Sequence, residues 1–463
     1  MVNKSIKKSD AGETVAIIAL TAVEMRDRIA SGELTALRVA EAFIAQIAIR
    51  EPEVQAFAWF DPDFLRFQAQ EADRYRGTGR PLGSLHGLPV AVKDIIDTAK
   101  IPTENGAKLD KGRVPTKDAV VVARLRKAGA LILGKTVTTE LAYLTPSKTK
   151  NPHNLAHTPG GSSSGSAAAV AALMAPLAIG TQTGGSIIRP ASYCGVVGYK
   201  PSFGAIARTG ILPQSHSLDT VGVFAKTTQD AALLAEVLFG YDAEDPQSVV
   251  QPSAPLLSLS RSRPPIKPTF AFLKPHGWDE ADPILIEAFE ALSQELGVQC
   301  FEFELPPAIY KGLGWREMIN HAEMARAYFR YGQHSDLLGA ETQEALAKGN
   351  AVLARDYLSA LDWANALGTG LETIFERADV ILSPAATGPA PLGHASTGSA
   401  IFNGLWTLIG TPAITLPLLE TPQGLPMGVQ LIGPKHLDGR LLRAANWLTD
   451  WASEQLHSGA QND

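Results

Sequence analysis

Only two cysteines, Cys194 and Cys300, occur among 463 residues, too few for a disulfide framework or a thiolate zinc site. That scarcity fits a reducing compartment, and the cytoplasm is the expected location. Surplus positive charge is also missing: 41 Lys and Arg stand against 47 Asp and Glu, a net charge of −6. The chain therefore lacks the basic footprint that nucleic acid demands. No apolar stretch reaches the roughly 18 to 20 residues of a membrane span. Residues 167–180 come nearest, but Pro176 breaks them and the polar Thr-Gln-Thr-Gly-Gly follows. What is present is 45% hydrophobic and 19% charged residues, a balance that excludes a disordered polymer and supplies a large core. Length alone allows about three domains of roughly 150 residues, or one large α/β domain.

The N-terminus carries Lys4, Lys7 and Lys8 ahead of an apolar run at 15–23, loosely imitating a secretory leader. Asp10 and Glu13 interrupt the basic stretch, and Thr21 with Glu24 three residues on is a capping box that opens a helix ending before Gly32. Residues 1–20 are expected to be a flexible lead. Residues 21–80 read as an N-terminal helical layer, since Val39, Phe43 and Ile47 recur at helical spacing and Glu51-Pro52 and 77–81 supply stops. Over 86–240 short apolar runs at 88–92, 130–133 and 176–179 alternate with helical stretches and Gly-rich turns, the pattern of a buried sheet. Residues 251–268 look like a surface excursion, 310–378 a helical block, and strand-like runs at 380–382, 413–418 and 427–432 bring residues 379–463 back to the same sheet.

Residues 151–199 contain one charged side chain, Arg189, where composition predicts about nine. Such a segment is buried, yet it is crowded with Ser, Thr and Gly, and buried hydroxyls must be hydrogen-bonded. Close backbone packing by small residues is the bland explanation. Three motif matches have to be weighed here. Gly129-Ala-Leu-Ile-Leu-Gly134-Lys135-Thr136 fits the phosphate-loop pattern, but its middle residues read as a strand and Gly129 caps the preceding helix. Gly161-Ser162-Ser163-Ser164-Gly165 fits the nucleophile elbow around Ser163, but the elbow needs a strand before it, and 151–160 is rich in Asn, Pro, His, Thr and Gly. Ser147-Lys148-Thr149-Lys150 fits S-x-x-K without its companion motifs and reads as a solvated turn.

Lys93, the serines of 162–166 and Ser186 remain. Strand alternation in 88–92 points Lys93 to the side of Ala91, among apolar neighbours. A desolvated lysine loses its preference for the ammonium and can accept a proton near neutrality; the bland alternative pairs it with Asp94 at the surface. Gly184-Gly185 before Ser186 frees consecutive N–H groups to converge as an anion nest. A weak nucleophile, a buried amine and a nest amount to an acyl-transfer site.

These residues resemble the amidase signature family. The likeness runs through 87–94, 129–136, 159–170, 180–191 and 424–433 and so covers nearly the whole chain. It implies a single α/β domain with a large mixed β-sheet core surrounded by α-helices, 86–240 forming the catalytic core and 310–378 a variable block lining the substrate cleft. It further implies a Ser-cisSer-Lys triad of Ser186 as nucleophile, Ser162 as bridge and Lys93 as base. By the same likeness, the N–H groups of Thr183, Gly184, Gly185 and Ser186 form the oxyanion hole, with Ser163 and Thr181 in support. The 24 residues from Ser162 to Ser186 match the family's spacing. Ser186-Ile-Ile-Arg189 carries one Ile more than many members and is similar to the malonamidase-like branch, in which the matching arginine binds a substrate carboxylate. Arg189 is expected either to do so or to be held by backbone carbonyls. The implied activity is hydrolysis of small amides without metal or cofactor, with esters and carbamates (urethanes) as further substrates. No nucleic acid or membrane partner is expected; a homodimer is possible. The amidotransferase A subunit is the alternative within the family, and a phosphate-loop nucleotide-binding protein the alternative outside it.

Overall fold

The computed structural model describes residues 8–252 and 254–459. Eleven strands form one mixed sheet: β1 (Phe57–Trp59), β2 (Pro89–Lys93), β3 (Leu131–Thr136), β4 (Leu177–Gln182), β5 (Val197–Lys200), β6 (Thr220–Ala225), β7 (Phe270–Leu273), β8 (Cys300–Phe303), β9 (Val380–Pro384), β10 (Ala413–Glu420) and β11 (Pro426–Ile432). Their spatial order is β1-β3-β2-β4-β6-β5-β10-β11-β9-β7-β8. β2 runs parallel to both β3 and β4, β7 runs parallel to β8 and β9, and the strands between these two parallel wings pair antiparallel. Parallel strands are buried on both faces, and β2, β3 and β4 are buried at every position.

Alternation sorts the sheet's two faces. Val90, Val92, Leu177 and Ile179 join the larger core cluster, while Ala91 and Ala178 join another with Ala167–Val170 of the helix Ser164–Ala171. That helix is nearly all small residues because it lies so close to its neighbours. A Cβ on Gly165 would come 2.2 Å from the Ala56 carbonyl oxygen and 2.4 Å from the Val137 nitrogen. The helix thereby brings the serines at its start down onto the ends of the parallel strands.

Several expectations need correction. Lys8–Ala19 is a helix, not a flexible lead, because Ile17 and Ile18 are buried and the Lys226 ammonium donates to the carbonyls of Ile18, Ala19 and Leu20 at its end. Lys4 and Lys7 lie outside the described residues. The 21–80 layer is broken by β1, which follows a left-handed Gln55 and pairs with β3. The 251–268 excursion carries the short helix Leu256–Arg261 with Leu256 buried. The Thr21–Glu24 capping box and the Gly32 stop are as expected, and the 310–378 block is helical over Gly312–Ala327, Ala340–Ala351 and Ala354–Glu372. Among the described residues no helix is long and apolar enough to cross a membrane.

Gly165→Ala should lower the urea midpoint by an amount equivalent to about 1–3 kcal/mol or more through overpacking. Gly370→Ala, exposed in its helix with nothing within 4 Å, should raise stability by up to about 1 kcal/mol. Equal responses would contradict the close approach at Gly165.

Candidate active site

In open α/β sheets the crevice beyond the carboxyl ends of parallel strands is where side chains can converge. Lys93 is the last residue of β2 and Thr181 the last but one of β4. Lys93 Nζ lies 2.8 Å from Ser162 Oγ and donates to Thr181 Oγ1 at 2.9 Å. Lys93 is wholly buried, and desolvation of its ammonium brings its pKa from 10.5 down to about 7, with Asp219 partly opposing. Asp219 is not a salt-bridge partner. Its carboxylate is engaged by the Thr183 hydroxyl at 2.5 Å and by the N–H groups of Gln214 and Ser215. Asp94, the surface partner considered for Lys93, is itself buried and sits 3.7 Å from Lys135 instead.

The peptide bond before Ser162 is cis. The Ser162 carbonyl accepts from the Thr139 N–H at 3.2 Å, and the Gly161 carbonyl accepts from Arg189 Nη2 at 2.6 Å. The other serines serve the backbone. Ser163 Oγ donates to the Thr181 carbonyl and accepts from the Thr181 N–H, Ser164 Oγ donates to the Gly160 carbonyl, and Ser166 Oγ donates to the Ile179 carbonyl. Ser163 is fully buried with a coil before it, so the nucleophile-elbow reading fails. The phosphate-loop reading fails as well: 131–136 is β3, and Lys135 Nζ donates to the Ile96 carbonyl and Thr103 Oγ1, both at 2.6 Å.

Ser186 is half-buried in the turn between β4 and the helix Ile188–Cys194. No hydrogen bond joins it to Ser162 among the described residues. Two side chains that sequence reasoning did not single out shape this turn. Gln182 Oε1 accepts from the N–H groups of Ile187 and Ile188 at 2.9 and 3.0 Å, and its Nε2 donates to Thr407 Oγ1. Thr407 Oγ1 in turn donates to the Gly184 carbonyl at 2.7 Å. Among the described residues the N–H groups of Thr183, Gly184, Gly185 and Ser186 donate to no protein acceptor. Buried amides are nearly always paired, and four unclaimed donors in sequence are of the kind that can converge on an anion. Gln182 stood inside the quoted motif without a signal to mark it, and Thr407 lies 225 residues away. A cavity of about 270 Å³ abuts Thr181 and Thr183 and is lined also by Leu212, Gln214 and Asp219.

Of the two expectations for Arg189, the geometry favours the backbone-held one. The side chain is buried, Nη1 donates to the Gly398 carbonyl at 2.8 Å, and Nη2 is shared by the Gly161 carbonyl and Thr397 Oγ1.

The fold is thus a single mixed α/β sheet that gathers a lysine, a serine and a glycine turn at its parallel strand ends. The family model described as Amidase matches residues 38–442, and the chain belongs to the amidase family. It is 35% identical to the A subunit of a glutamyl-tRNA(Gln) amidotransferase from Streptomyces avermitilis, over 93% of this chain and 94% of that protein. Among solved structures it is similar to 6-aminohexanoate cyclic dimer hydrolase with bound substrate (TM-score 0.83, 25% identity, 93% of this chain and 96% of that one). It is also similar to the peptide amidase of Stenotrophomonas maltophilia (TM-score 0.79, 28% identity, 94% and 97%).

Lys135→Met should cost about 3–5 kcal/mol by leaving Asp94 buried without its cation, and millimolar ATP with Mg²⁺ should leave the wild-type Tm unchanged. A nucleotide-dependent rise in Tm would restore the phosphate-loop reading.

Proposed function

We propose that the protein hydrolyses C–N acyl bonds of small amides through Ser186, Ser162 and Lys93. One observation carries this reading: a buried lysine whose pKa is brought down to about 7, with Ser162 at 2.8 Å, shares the same strand ends with a turn of four unclaimed N–H groups. A neutral amine has two N–H bonds and one lone pair. Thr181 Oγ1 takes one N–H, which leaves the lone pair for the proton of Ser162.

Ser186 Oγ attacks the amide carbonyl carbon as its proton passes to Ser162 Oγ and the Ser162 proton passes to Lys93 Nζ. The carbonyl oxygen becomes an oxyanion held by N–H groups of the turn Thr183, Gly184, Gly185 and Ser186, each such donor being worth roughly 10²–10³ in rate. Collapse breaks the C–N bond, and the leaving amine takes the relayed proton, giving an acyl ester on Ser186. Water attacks that ester along the same relay and releases the carboxylate. Catalytic hydrogen bonds are often long in the absence of substrate, and the Ser186–Ser162 contact is the one that substrate must complete. Esters and carbamates fit the same chemistry. Arg189 acts as a positioning residue through the Gly161 carbonyl. A second reading, supported by the likeness to the amidotransferase A subunit, makes the chain one component of a larger amidotransferase. Amide hydrolysis by the purified chain alone would count against it.

Ser186→Ala should abolish butyramide hydrolysis with Tm unchanged, and Lys93→Met should cost about 10²–10⁴ in kcat. In the wild type kcat/KM should rise about tenfold per pH unit up to about 7 and then level off, because below that value the Lys93 ammonium cannot accept a proton. A flat profile would contradict the base. Arg189→Leu should lower kcat by the same factor on neutral and carboxylate-bearing amides; a KM effect confined to the latter would return the carboxylate clamp to Arg189.

A further inference from the structure

Arg316, on the helix Gly312–Ala327 of the block outside the catalytic core, reaches the glycine turn. Its stem passes over Gly404, where a Cβ would come 2.9 Å from Nε and 3.2 Å from Cδ. The guanidinium ends against Gly184, where a Cβ would come 3.3 Å from Nη1. Nε is buried and has no acceptor. Among the described residues the one carboxylate in ion-pair range is that of Glu317, 3.6 Å from Nη2, whose side chain is 63% exposed while that of Arg316 is 16% exposed. Tyr143 lies nearby with its hydroxyl 3.2 Å from His321 Nε2, and Arg189, a second cation, is close enough for the two guanidinia to repel.

An arginine stays charged in proteins, and a buried charge with an unsatisfied donor is costly until an anion completes it. Gly184 is two residues before Ser186, so their Cα atoms lie at most about 7.6 Å apart. An anion held by Arg316 is therefore only a few bonds from the carbon that Ser186 attacks. The planar fork of a guanidinium matches the two oxygens of a carboxylate, and one monoanion balances one arginine.

We infer that Arg316 binds the substrate's carboxylate, so that the substrates are small amides bearing a carboxylate two to four bonds from the scissile carbonyl. This rests on the hydrolytic reading of Ser186. It also separates the two arginines: Nε lacks an acceptor in both, but the terminal nitrogens of Arg189 are taken by protein acceptors, whereas those of Arg316 meet only the exposed Glu317 carboxylate among the described residues.

The test is calorimetric titration of Ser186→Ala with succinamate and with 4-methylpentanamide, its neutral isostere, and then of the same protein carrying Arg316→Leu or Arg316→Lys, each checked for folding by thermal unfolding. Succinamate should bind at least about tenfold more tightly than the isostere. Arg316→Leu should bring the two affinities within about twofold, and Arg316→Lys, which keeps the charge and loses the fork, should retain part of the preference. Equal affinities in the Ser186→Ala parent, failure to bind either amide, or a preference undiminished in the Leu or Lys protein would overturn the inference. Turnover of succinamate and of 4-methylpentanamide by the unaltered enzyme reads the other question separately. Hydrolysis of both amides without carboxylate preference sinks the role of Arg316 alone, and carboxylate preference in binding without hydrolysis of either amide sinks the role of Ser186 alone.

Discussion

The cost of hiding the Lys93 ammonium from water governs the site. An ammonium that is wholly buried needs a carboxylate beside it or loses its proton. The carboxylate whose charge acts on Lys93, Asp219, is engaged by a hydroxyl and two backbone amides. The groups that touch Lys93 Nζ are instead two neutral hydroxyls, Ser162 and Thr181, which suit an amine as well as they suit a cation. Lys135, one strand away and equally buried, shows the opposite solution. It keeps Asp94 within ion-pair range and donates to two oxygens of the protein. Two buried lysines at the ends of adjacent strands thus differ in what surrounds them, and that difference is what the proposed role of Lys93 as proton acceptor rests on.

Holding Lys93 dry constrains everything packed over it. The serine-rich start of the helix Ser164–Ala171 must come close to the sheet, which requires glycine at contact points and a partner for each hydroxyl carried into the core. Gly180 meets Ser163 so tightly that a Cβ there would lie 2.6 Å from Oγ, and Ser163 is then bound at both ends to the backbone of Thr181. Of the neighbouring serines, Ser162 is the one whose hydroxyl faces the lysine, since Ser163, Ser164 and Ser166 are spent on carbonyls. The paucity of charge across 151–199 follows from the same packing.

Much of this was legible in the sequence because it is local. Strand alternation placed Lys93 on the Ala91 side, the capping box and Gly32 set the second helix, and the strands β2, β3, β4, β9, β10 and β11 announced themselves as apolar runs. Others were not legible. β1 hides in a helical neighbourhood because three residues are too few to show a period. β5 to β8 owe their strand character to neighbours they meet only in the folded sheet, the usual fate of short strands whose preference depends on context. The groups that shape the Ser186 turn were hidden for the same reason. Nothing in the string of letters ties Thr407 to Gly184, and the glutamine of a Thr-Gln-Thr triplet looks like any other polar residue until its amide is seen to hold two backbone N–H groups.

The two arginines near this turn show how satisfaction of donors divides structure from recognition. Arg189 cannot leave the Gly398 and Gly161 carbonyls without stranding buried acceptors, and stranding one costs about 1–3 kcal/mol. A ligand carboxylate would have to outbid these bonds before gaining anything. Arg316 faces no such competition at its terminal nitrogens, because among the described residues the one carboxylate in ion-pair range of them is the solvated Glu317, while Nε is without an acceptor in both arginines. It also comes from a helix that forms no part of the sheet, so its placement can vary without disturbing the strand ends that fix Lys93 and Thr181. The proposed chemistry thus rests on buried strand ends, while the charge proposed for choosing a substrate arrives from the helical block beside them.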